Sequence, residues 1–388
     1  MNKKILVSAI LVIVLGLLTA SFLILLRWQK QKEESRVSTY AQGKSFYREA
    51  KYTAAIEQFK KVIQDYPQSK EAGVAVYRIA LSFSGLKKYK EAEDYLRKFL
   101  KDSPKSKYRN KAYYKLAWLE DKQGHSDKAL LLYGKVITKF PRGTMSAEAG
   151  LGRGRILAAK GEWKSAREDF RKVMDDFPES NSFLPAQKEL GDLNIRLIFS
   201  STLTPDSLIY KVKYGDSLHS ISRKFKTTIP LLMKSNGLQS SLIRPGETLK
   251  VTPGNYRIVV NKSRLTLSLY LNGKLVKVYP VGIGVEDYPT PIGTFKIVNK
   301  LIDPVWYNPH GGIYAYGNIK NVLGTRWMGI SSPGYGIHGT TQPESIGKQS
   351  SEGCIRMHNK DVEELYDLVT IGTPVIIINK VQKKEGTK

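Results

Sequence analysis

Cysteine is nearly absent from this sequence, since Cys354 is the only one in 388 residues. It has no partner for an intramolecular disulfide, so a disulfide framework is excluded, and the cysteine count neither requires nor excludes an exported location. No cysteine lies near the N-terminus to carry a lipoprotein anchor. The single thiol is therefore either an inert buried side chain or a reactive group.

Acidic residues are scarce as well, because 35 Asp and Glu face 62 Lys and Arg and leave a net charge of +27. Such a field favours an anionic partner: nucleic acid, an acidic membrane surface or an anionic wall polymer. The sequence has no nucleic-acid-binding motif, and its lysines do not form one tract. We therefore expect no nucleic-acid partner and interpret most of these charges as a solvated surface.

The segment from Ile5 to Leu26 contains no charged residue and follows a short basic N-terminus with Lys3 and Lys4. At about 1.5 Å per residue, this run spans a hydrocarbon core of roughly 30 Å, and it is too long for the core of a signal peptide. Residues 1–36 are therefore predicted to be an uncleaved membrane anchor, a transmembrane helix with a basic flank. The basic residues from Arg27 to Arg36 outnumber those before the run, which favours a cytoplasmic bulk.

A period of 37 residues runs through residues 37–200. It is carried by proline, by alanine and by a large apolar side chain: Pro67, Pro104, Pro141 and Pro178; Ala55, Ala92, Ala129 and Ala166; Phe59, Leu96, Tyr133 and Phe170. A fixed period of this size predicts a helical repeat, in which small residues let helices approach and proline ends each second helix.

The pattern resembles tetratricopeptide repeats, with a closing helix from about Pro185 to Phe199. The resemblance implies an all-α superhelix. Such an array binds a protein partner on its concave face or serves as a spacer, and both interpretations remain open.

Residues 209–251 hold a strand–helix–helix–strand pattern. Ser217 predicts a helix N-cap, Thr228 and Pro230 open a second helix, and Asn236-Gly237 ends it. The pattern resembles a LysM module, with Gly215-Asp216-Ser217-Leu218 and Asn236 at the characteristic places of that family. The resemblance implies binding of glycans that contain N-acetylglucosamine, hence of peptidoglycan; a linker module that no longer binds is the alternative.

His338 precedes Cys354 by sixteen residues in the last part of the chain. A thiol becomes a good nucleophile when a base removes its proton, and the two partners need only meet in the fold. Gly353 permits a tight turn that brings backbone N–H groups near the sulfur, where an oxyanion can be stabilised. These residues predict nucleophilic catalysis.

Strand patterns surround this pair. Alternation on both sides of Asn272-Gly273 predicts a β-hairpin, and Val375 to Ile378 predicts a final strand. Asn359 is predicted to cap a helix that runs through Val369. A mostly-β domain is therefore expected over residues 255–380, followed by a basic tail, 381–388.

Six segments of this domain resemble the L,D-transpeptidases of the YkuD type, peptidoglycan enzymes with a cysteine nucleophile. They are Tyr288–Phe295, Leu323–Gly329, Gly336–Thr340, Pro343–Gly347, Ser351–Met357 and Gly372–Val375. Two departures concern Glu352, where many relatives have His or another residue, and Asn321-Val322-Leu323-Gly324, where an Asn-Pro-Leu-Gly type segment is usual. Neither removes a catalytic group.

The resemblance implies roles for eight residues. These are Cys354 as nucleophile and His338 as base; Gly353, Gly339 and Ser351 as oxyanion or orienting residues; and Arg356, Thr340 and Trp327 as substrate-binding residues. For Arg356, binding of a substrate carboxylate and bracing of the loop both remain open. No metal or cofactor is implied, and His310 and His358 are interpreted as surface or rim residues, since zinc sites show tighter paired spacing.

The implied reaction cleaves the bond before the terminal D-Ala of a tetrapeptide stem, forms a thioester and passes the acyl group to an amine as a 3→3 crosslink. Water as acceptor would make the chain an L,D-carboxypeptidase, and a lysine of another protein as acceptor would attach that protein to the wall. A catalytically silent envelope scaffold is the alternative from another class. The substrate implies an extracytoplasmic location, against the charge count around the anchor.

Overall fold

A computed structural model describes the backbone of residues 3–379 and the side chains of residues 15–379. The chain divides into two compact units, Met1–Asp169 and Phe170–Lys388. The predicted basic tail lies outside the described residues, as do the first side chains of the predicted membrane span. Among the residues that are described, no helix is long and apolar enough to cross a membrane, and the anchor predicted over 1–36 is not shown.

The N-terminal unit consists of helices. They are α1 (Lys3–Arg48), α2 (Tyr52–Asp65), α3 (Lys70–Gly85), α4 (Tyr89–Asp102), α5 (Arg109–Lys122), α6 (Ser126–Lys139), α7 (Ser146–Ala159) and α8 (Trp163–Asp176), the last of which crosses the boundary between the units. The even-numbered helices α2, α4, α6 and α8 have 14 residues each. Their first residues repeat the predicted period, and a proline follows each of these helices.

The repeating positions form the core of this unit. The alanines Ala55, Ala92 and Ala129 are fully buried, and so is Leu96, which belongs to the same cluster as Ala92 and Ala129. Between them, rings from neighbouring helices fill the space, as where Tyr77 meets Phe99 with centroids 5.4 Å apart. The predicted all-α repeat is therefore confirmed, because small residues at the close approaches and large ones between them recur in each pair of helices.

The C-terminal unit begins with α9 (Phe183–Phe199) and the small module. The module consists of β1 (Leu208–Lys211), α10 (Leu218–Lys224), α11 (Ile229–Asn236) and β2 (Thr248–Val251), with β1 and β2 antiparallel. Its caps are those predicted: the Ser217 side chain accepts from the N–H of Ser220, and that of Thr228 from the N–H of Leu231. Gly237 ends α11 at φ 64°.

The rest of this unit is built on a mixed sheet. Its elements are β3 (Tyr256–Asn261), β4 (Thr266–Leu271), β5 (Lys274–Pro280), β6 (Ile283–Gly284), β7 (Gly293–Ile302), β8 (Trp306–Tyr307), β9 (Ile313–Tyr314), β10 (Arg326–Ile330), β11 (Gly336–His338), β12 (Gln349–Ser351), β13 (Ile355–Arg356), α12 (Asn359–Leu368) and β14 (Pro374–Ile378). Eight strands form the main sheet in the order β13-β11-β10-β7-β14-β3-β4-β5. The predicted hairpin is β4–β5, with Asn272 at φ 51° and Gly273 at φ 80°.

One capping prediction was wrong. The N-cap of α12 is His358, and the helix ends at Leu368. The side-chain oxygen of Asn359 instead accepts from the backbone N–H of Thr340, at 3.0 Å. The Asn359 side chain therefore bonds a backbone N–H of another loop and not one of its own helix, and the sequence alone could not indicate this.

The small module packs directly on the mixed-sheet domain. Leu231 of α11 belongs to the same buried cluster as the sheet, and the Nζ of Lys234 pairs with the carboxylate of Asp367 on α12. Ile195 and Ile198 of α9 join that cluster. The helix that was expected to close the last repeat therefore contributes to the core of the C-terminal unit.

Candidate active site

The two predicted catalytic residues lie on neighbouring strands at one edge of the sheet. Strands β11 and β13 are parallel, with His338 opposite Arg356, and Cys354 directly precedes β13. Because side chains alternate between the faces of a strand, Cys354 and Arg356 share a face, as do Gly336 and His338 on the facing strand. The sheet thus brings the thiol and the imidazole to the same face.

A cavity of about 520 Å³ lies on this face. Its lining includes Cys354, His338, Ser351, Arg356 and Trp327, together with Leu301, Pro304, Val305, Trp306, Tyr307, Pro309, Val322, Leu323, Gly334, Gln342 and Glu352. The predicted residues Gly339, Gly353 and Thr340 are not among those that line it, and Thr340 is buried.

His338 is buried and fixed in orientation. Its Nδ1 lies 2.6 Å from the carbonyl oxygen of Gly339. A carbonyl only accepts, so in the neutral ring Nδ1 carries the proton and Nε2 keeps its lone pair. Trp327 stacks on the ring, with centroids 5.8 Å apart and planes at 24°. Burial lowers the pKa of His338 to about 4, although hydrogen bonds to the carbonyls of Gly339 and Leu323 oppose the shift.

The thiol of Cys354 is directed at a backbone carbonyl in this conformation. Its Sγ donates to the carbonyl of Gly334 at 3.6 Å. Burial raises the pKa of the thiol, and the backbone hydrogen bond from Gly336 and the charge of Arg356 only partly counter this. The sequence predicts a thiolate held by His338, whereas burial disfavours the charged form of both groups, so proton transfer is expected to accompany attack on a substrate.

The turn that carries Cys354 is held by two hydroxyl groups. Thr290 donates to the carbonyl of Gly353 at 2.8 Å and accepts from the N–H of Gly284 at 2.9 Å. Ser351 donates to the carbonyl of Cys354 at 2.6 Å. Gly353 has φ +102°, and a Cβ there would collide with the ring of Tyr335. The backbone around the sulfur is therefore fixed.

Asn359 and Thr290 were missed as functional candidates. The side-chain oxygen of Asn359 accepts from Thr340, beyond the His338 strand, and from Thr325 at 3.4 Å. A Cβ on Gly339 would collide with that oxygen, so Gly339 lets Asn359 approach. Thr290 lies within a segment that the family resemblance includes, but its contact with Gly353 crosses 63 residues, and no local pattern reveals it.

Two opposite charges lie at the cavity. Arg356 donates from Nη1 to the side-chain oxygen of Gln342 at 3.1 Å, and its buried Nε has no partner among the described residues. Glu352 pairs with the ring of His310 at 3.2 Å, and both side chains are about half exposed or more. His310, predicted as a rim residue, therefore lies beside the loop that precedes the nucleophile.

Comparison with known proteins identifies the domains. A family model described as the L,D-transpeptidase catalytic domain matches residues 255–377, and a LysM domain model matches residues 210–252. A tetratricopeptide repeat-like domain model matches residues 2–194. The putative L,D-transpeptidase YkuD of Bacillus licheniformis is 42% identical over 178 residues, which are 44% of this chain and 98% of that protein. The chain belongs to the L,D-transpeptidase family.

Two further members of the family are similar over a third to nearly half of the chain. The putative L,D-transpeptidase YkuD of Bacillus subtilis strain 168 is 40% identical over 177 residues, again 44% of this chain and 98% of that protein. The NMR structure of the catalytic domain of an E. faecium L,D-transpeptidase is 31% identical, covers 32% of this chain and 96% of that domain, and has a TM-score of 0.27. Membership implies an acyltransferase enzyme, and the separate LysM and repeat-like matches assign the rest of the chain.

Proposed function

We propose that this protein is a cell-wall L,D-transpeptidase in which Cys354 is the nucleophile and His338 the base. The observation that supports it most is the shared face of β11 and β13, where both side chains line one cavity of about 520 Å³. A hydrogen bond to Gly339 leaves Nε2 of the buried imidazole as the basic nitrogen. Such a pair suits acyl transfer through a covalent intermediate.

The proposed first step acylates the enzyme. Sγ of Cys354 attacks the carbonyl carbon before the terminal D-Ala of a tetrapeptide stem, while its proton passes to His338. The carbonyl oxygen becomes an oxyanion near the backbone N–H groups of Gly353 and Cys354. When the intermediate collapses, the C–N bond breaks and His338 gives its proton to the departing amine of D-Ala, which leaves a thioester.

The second step releases the acyl group. An amine from a second stem attacks the thioester and loses a proton to His338, and the sulfur leaves and recovers that proton as the thiol. The product is a 3→3 crosslink. Water in place of the amine gives a tripeptide stem, the product of an L,D-carboxypeptidase.

Arg356 is proposed to bind the carboxylate of the donor stem. Its fork matches a carboxylate, and its Nε is buried at the cavity without a partner among the described residues. The hydrogen bond to Gln342 holds the other end of the guanidinium, so bracing of the loop and substrate binding are compatible. Trp327, which stacks on His338, is proposed to form the apolar wall beside it.

The remaining domains are proposed to bring the enzyme to its substrate outside the cytoplasm. LysM modules bind wall glycans, and here the module is packed on the catalytic domain through Leu231 and Lys234, so a bound strand would be held at a fixed distance from Cys354. The membrane anchor and a protein partner on the repeats belong to the same proposal.

The test uses the purified full chain, tetrapeptide muropeptides and mass spectrometry of products and protein. We expect loss of D-Ala, a thioester on Cys354 and then a dimer joined through third-position residues. Tripeptide alone would assign the carboxypeptidase reaction. A folded protein with a reactive thiol that releases no D-Ala would reject the transpeptidase and favour the silent scaffold.

A further inference from the structure

A second, larger cavity lies where the LysM module meets the catalytic domain. This cleft has a volume of about 1040 Å³. One wall is the end of α10 and the turn after it, residues 222–228, and the other includes the starts of β3 and β14 and the Asn272-Gly273 turn. The residues that line it are all different from those that line the Cys354 cavity. The contacts of Lys234 and Leu231 hold the two walls together.

The cleft is strongly basic. Its described lining contains no Asp or Glu and includes four cationic residues, Arg223, Lys226, Arg257 and Lys300. Two carboxylates lie outside the lining: Asp206 in an adjoining hollow faces Lys274 at 3.6 Å, and Asp367 acts on Lys300. Like charges on facing walls repel one another and raise the potential inside a concave site, so the cleft favours an anion.

These cations differ in how they are held. Arg223 and Lys226 are exposed and have no carboxylate partner among the described residues. On the opposite wall, Arg257 lies over the ring of Tyr270 at 5.1 Å, which leaves the edge of its guanidinium available. Lys300 is fixed by the carbonyls of Tyr366 and Val369, each 2.6 Å from Nζ. Burial lowers the pKa of Lys300 to about 8. The cleft thus combines one ordered, partly buried amine at its wall with three exposed and more adaptable cations.

Lys226 also has an unusual backbone. It follows α10 at φ 51°, a left-handed conformation in which glycine is more stable than any other residue. A long cationic side chain stands at this position at a conformational cost. The Lys226 side chain adds a positive charge to the wall of the cleft that the LysM module forms.

We propose that this cleft binds a linear polyanion that has repeating phosphate groups and no aromatic bases, and that it gives the protein a second wall-binding site, separate from its reaction. Four cations on two modules suit repeating anionic groups better than a single small anion, which contacts only one or two of them. Tyr256 is the single aromatic residue in the described lining and is 4% exposed, so the cleft lacks the exposed rings on which nucleic-acid bases stack. The proposal does not depend on the chemistry of Cys354.

The test measures binding of long-chain inorganic polyphosphate to the full chain at several salt concentrations. The double variant Arg223→Gln/Lys226→Gly removes two cleft charges, and glycine suits the backbone of position 226, so the fold is expected to persist. The control Lys211→Gln/Lys213→Gln removes two exposed charges from the same module outside the cleft. We expect at least a ~10-fold loss of affinity and a salt slope lower by about 1.4 for the cleft variant, and less than a twofold loss for the control.

Other results would overturn the proposal. Equal losses in the two double variants would assign binding to the general positive charge, and no loss in the cleft variant would show that the polymer binds elsewhere. Tighter binding of a single-stranded oligonucleotide of matched charge, through the same residues, would replace the wall polymer by nucleic acid. Thermal unfolding checks that each variant is folded, and D-Ala release from a soluble muropeptide is expected to be unchanged, which separates this test from that of the reaction.

Discussion

The helical repeats and the catalytic domain place their important residues in opposite ways. In the repeats, Ala55, Ala92 and Ala129 are buried because the same local pattern recurs, and each helix packs mainly on the next along the chain. In the catalytic domain, the turn around Gly353 depends on Thr290, 63 residues away. A substitution in one repeat is therefore expected to affect mainly the interfaces of that repeat with its neighbours. The site, in contrast, requires several segments that are distant in sequence to be in place together.

Substitutions in the two regions test this comparison, and the largest effect on activity is expected at the proposed nucleophile. Cys354→Ser should lower D-Ala release at least ~10³-fold, because a serine hydroxyl is a far weaker nucleophile near neutral pH. Product formation by mass spectrometry measures the loss, and circular dichroism checks the fold. Turnover close to that of the wild type would remove Cys354 from the reaction.

The next effect concerns the proposed base. His338→Ala should lower kcat/KM by about 10²–10⁴-fold, since general-base catalysis contributes on that order. His219→Ala is the matched control, because His219 lies exposed on α10 of the small module. Equal activity of the two variants would mean that His338 serves packing only.

Asn359 tests whether distant segments position the site. Asn359→Ala should lower kcat about 10²-fold with a smaller change in KM, because the loop after His338 loses its fixed acceptor. Asn359→Asp keeps an acceptor oxygen and should recover most of the rate. Equal losses in both variants would contradict positioning through that oxygen.

The pH dependence of the wild type tests the environment of His338. Since burial lowers its pKa to about 4, the imidazole is neutral above that value, and kcat/KM should fall only as the pH drops through about 4. An exposed histidine would give an acid limb near 6.5. The unfolded chain binds a proton more readily over this range, so stability also declines from pH 6.5 to 4, and circular dichroism at each pH is the necessary control.

The smallest effect on activity is expected in the repeats. Leu96→Ala removes a fully buried side chain and should lower the free energy of unfolding of that unit by about 2–5 kcal/mol, with D-Ala release from a soluble muropeptide unchanged. Leu131→Ala is the control, since Leu131 is 70% exposed and should change stability by less than about 0.5 kcal/mol. If Leu96→Ala lowered D-Ala release together with stability, the repeats and the catalytic domain would not be independent in the way described above.

Sequence patterns alone predicted the elements whose causes are local. The period of 37 residues predicted α2, α4, α6 and α8, and Ser217, Thr228 and Gly237 marked the ends of α10 and α11 correctly. Caps and short turns depend on the φ angles and side chains of a few adjacent residues. Cys354 and His338 were chosen from the sequence as a pair, and family resemblance added the residues around them.

Only the tertiary structure decided how that pair is held. The parallel pairing of β11 and β13 brings the two side chains to one face, and burial disfavours the charged form of both. Asn359 and Thr290, which are distant in sequence from the residues they bond, fix the loops beside the pair. The position of α9 and the basic cleft between the modules also arise from packing across many residues. Burial and long-range hydrogen bonds depend on which segments meet, and no local pattern contains that information.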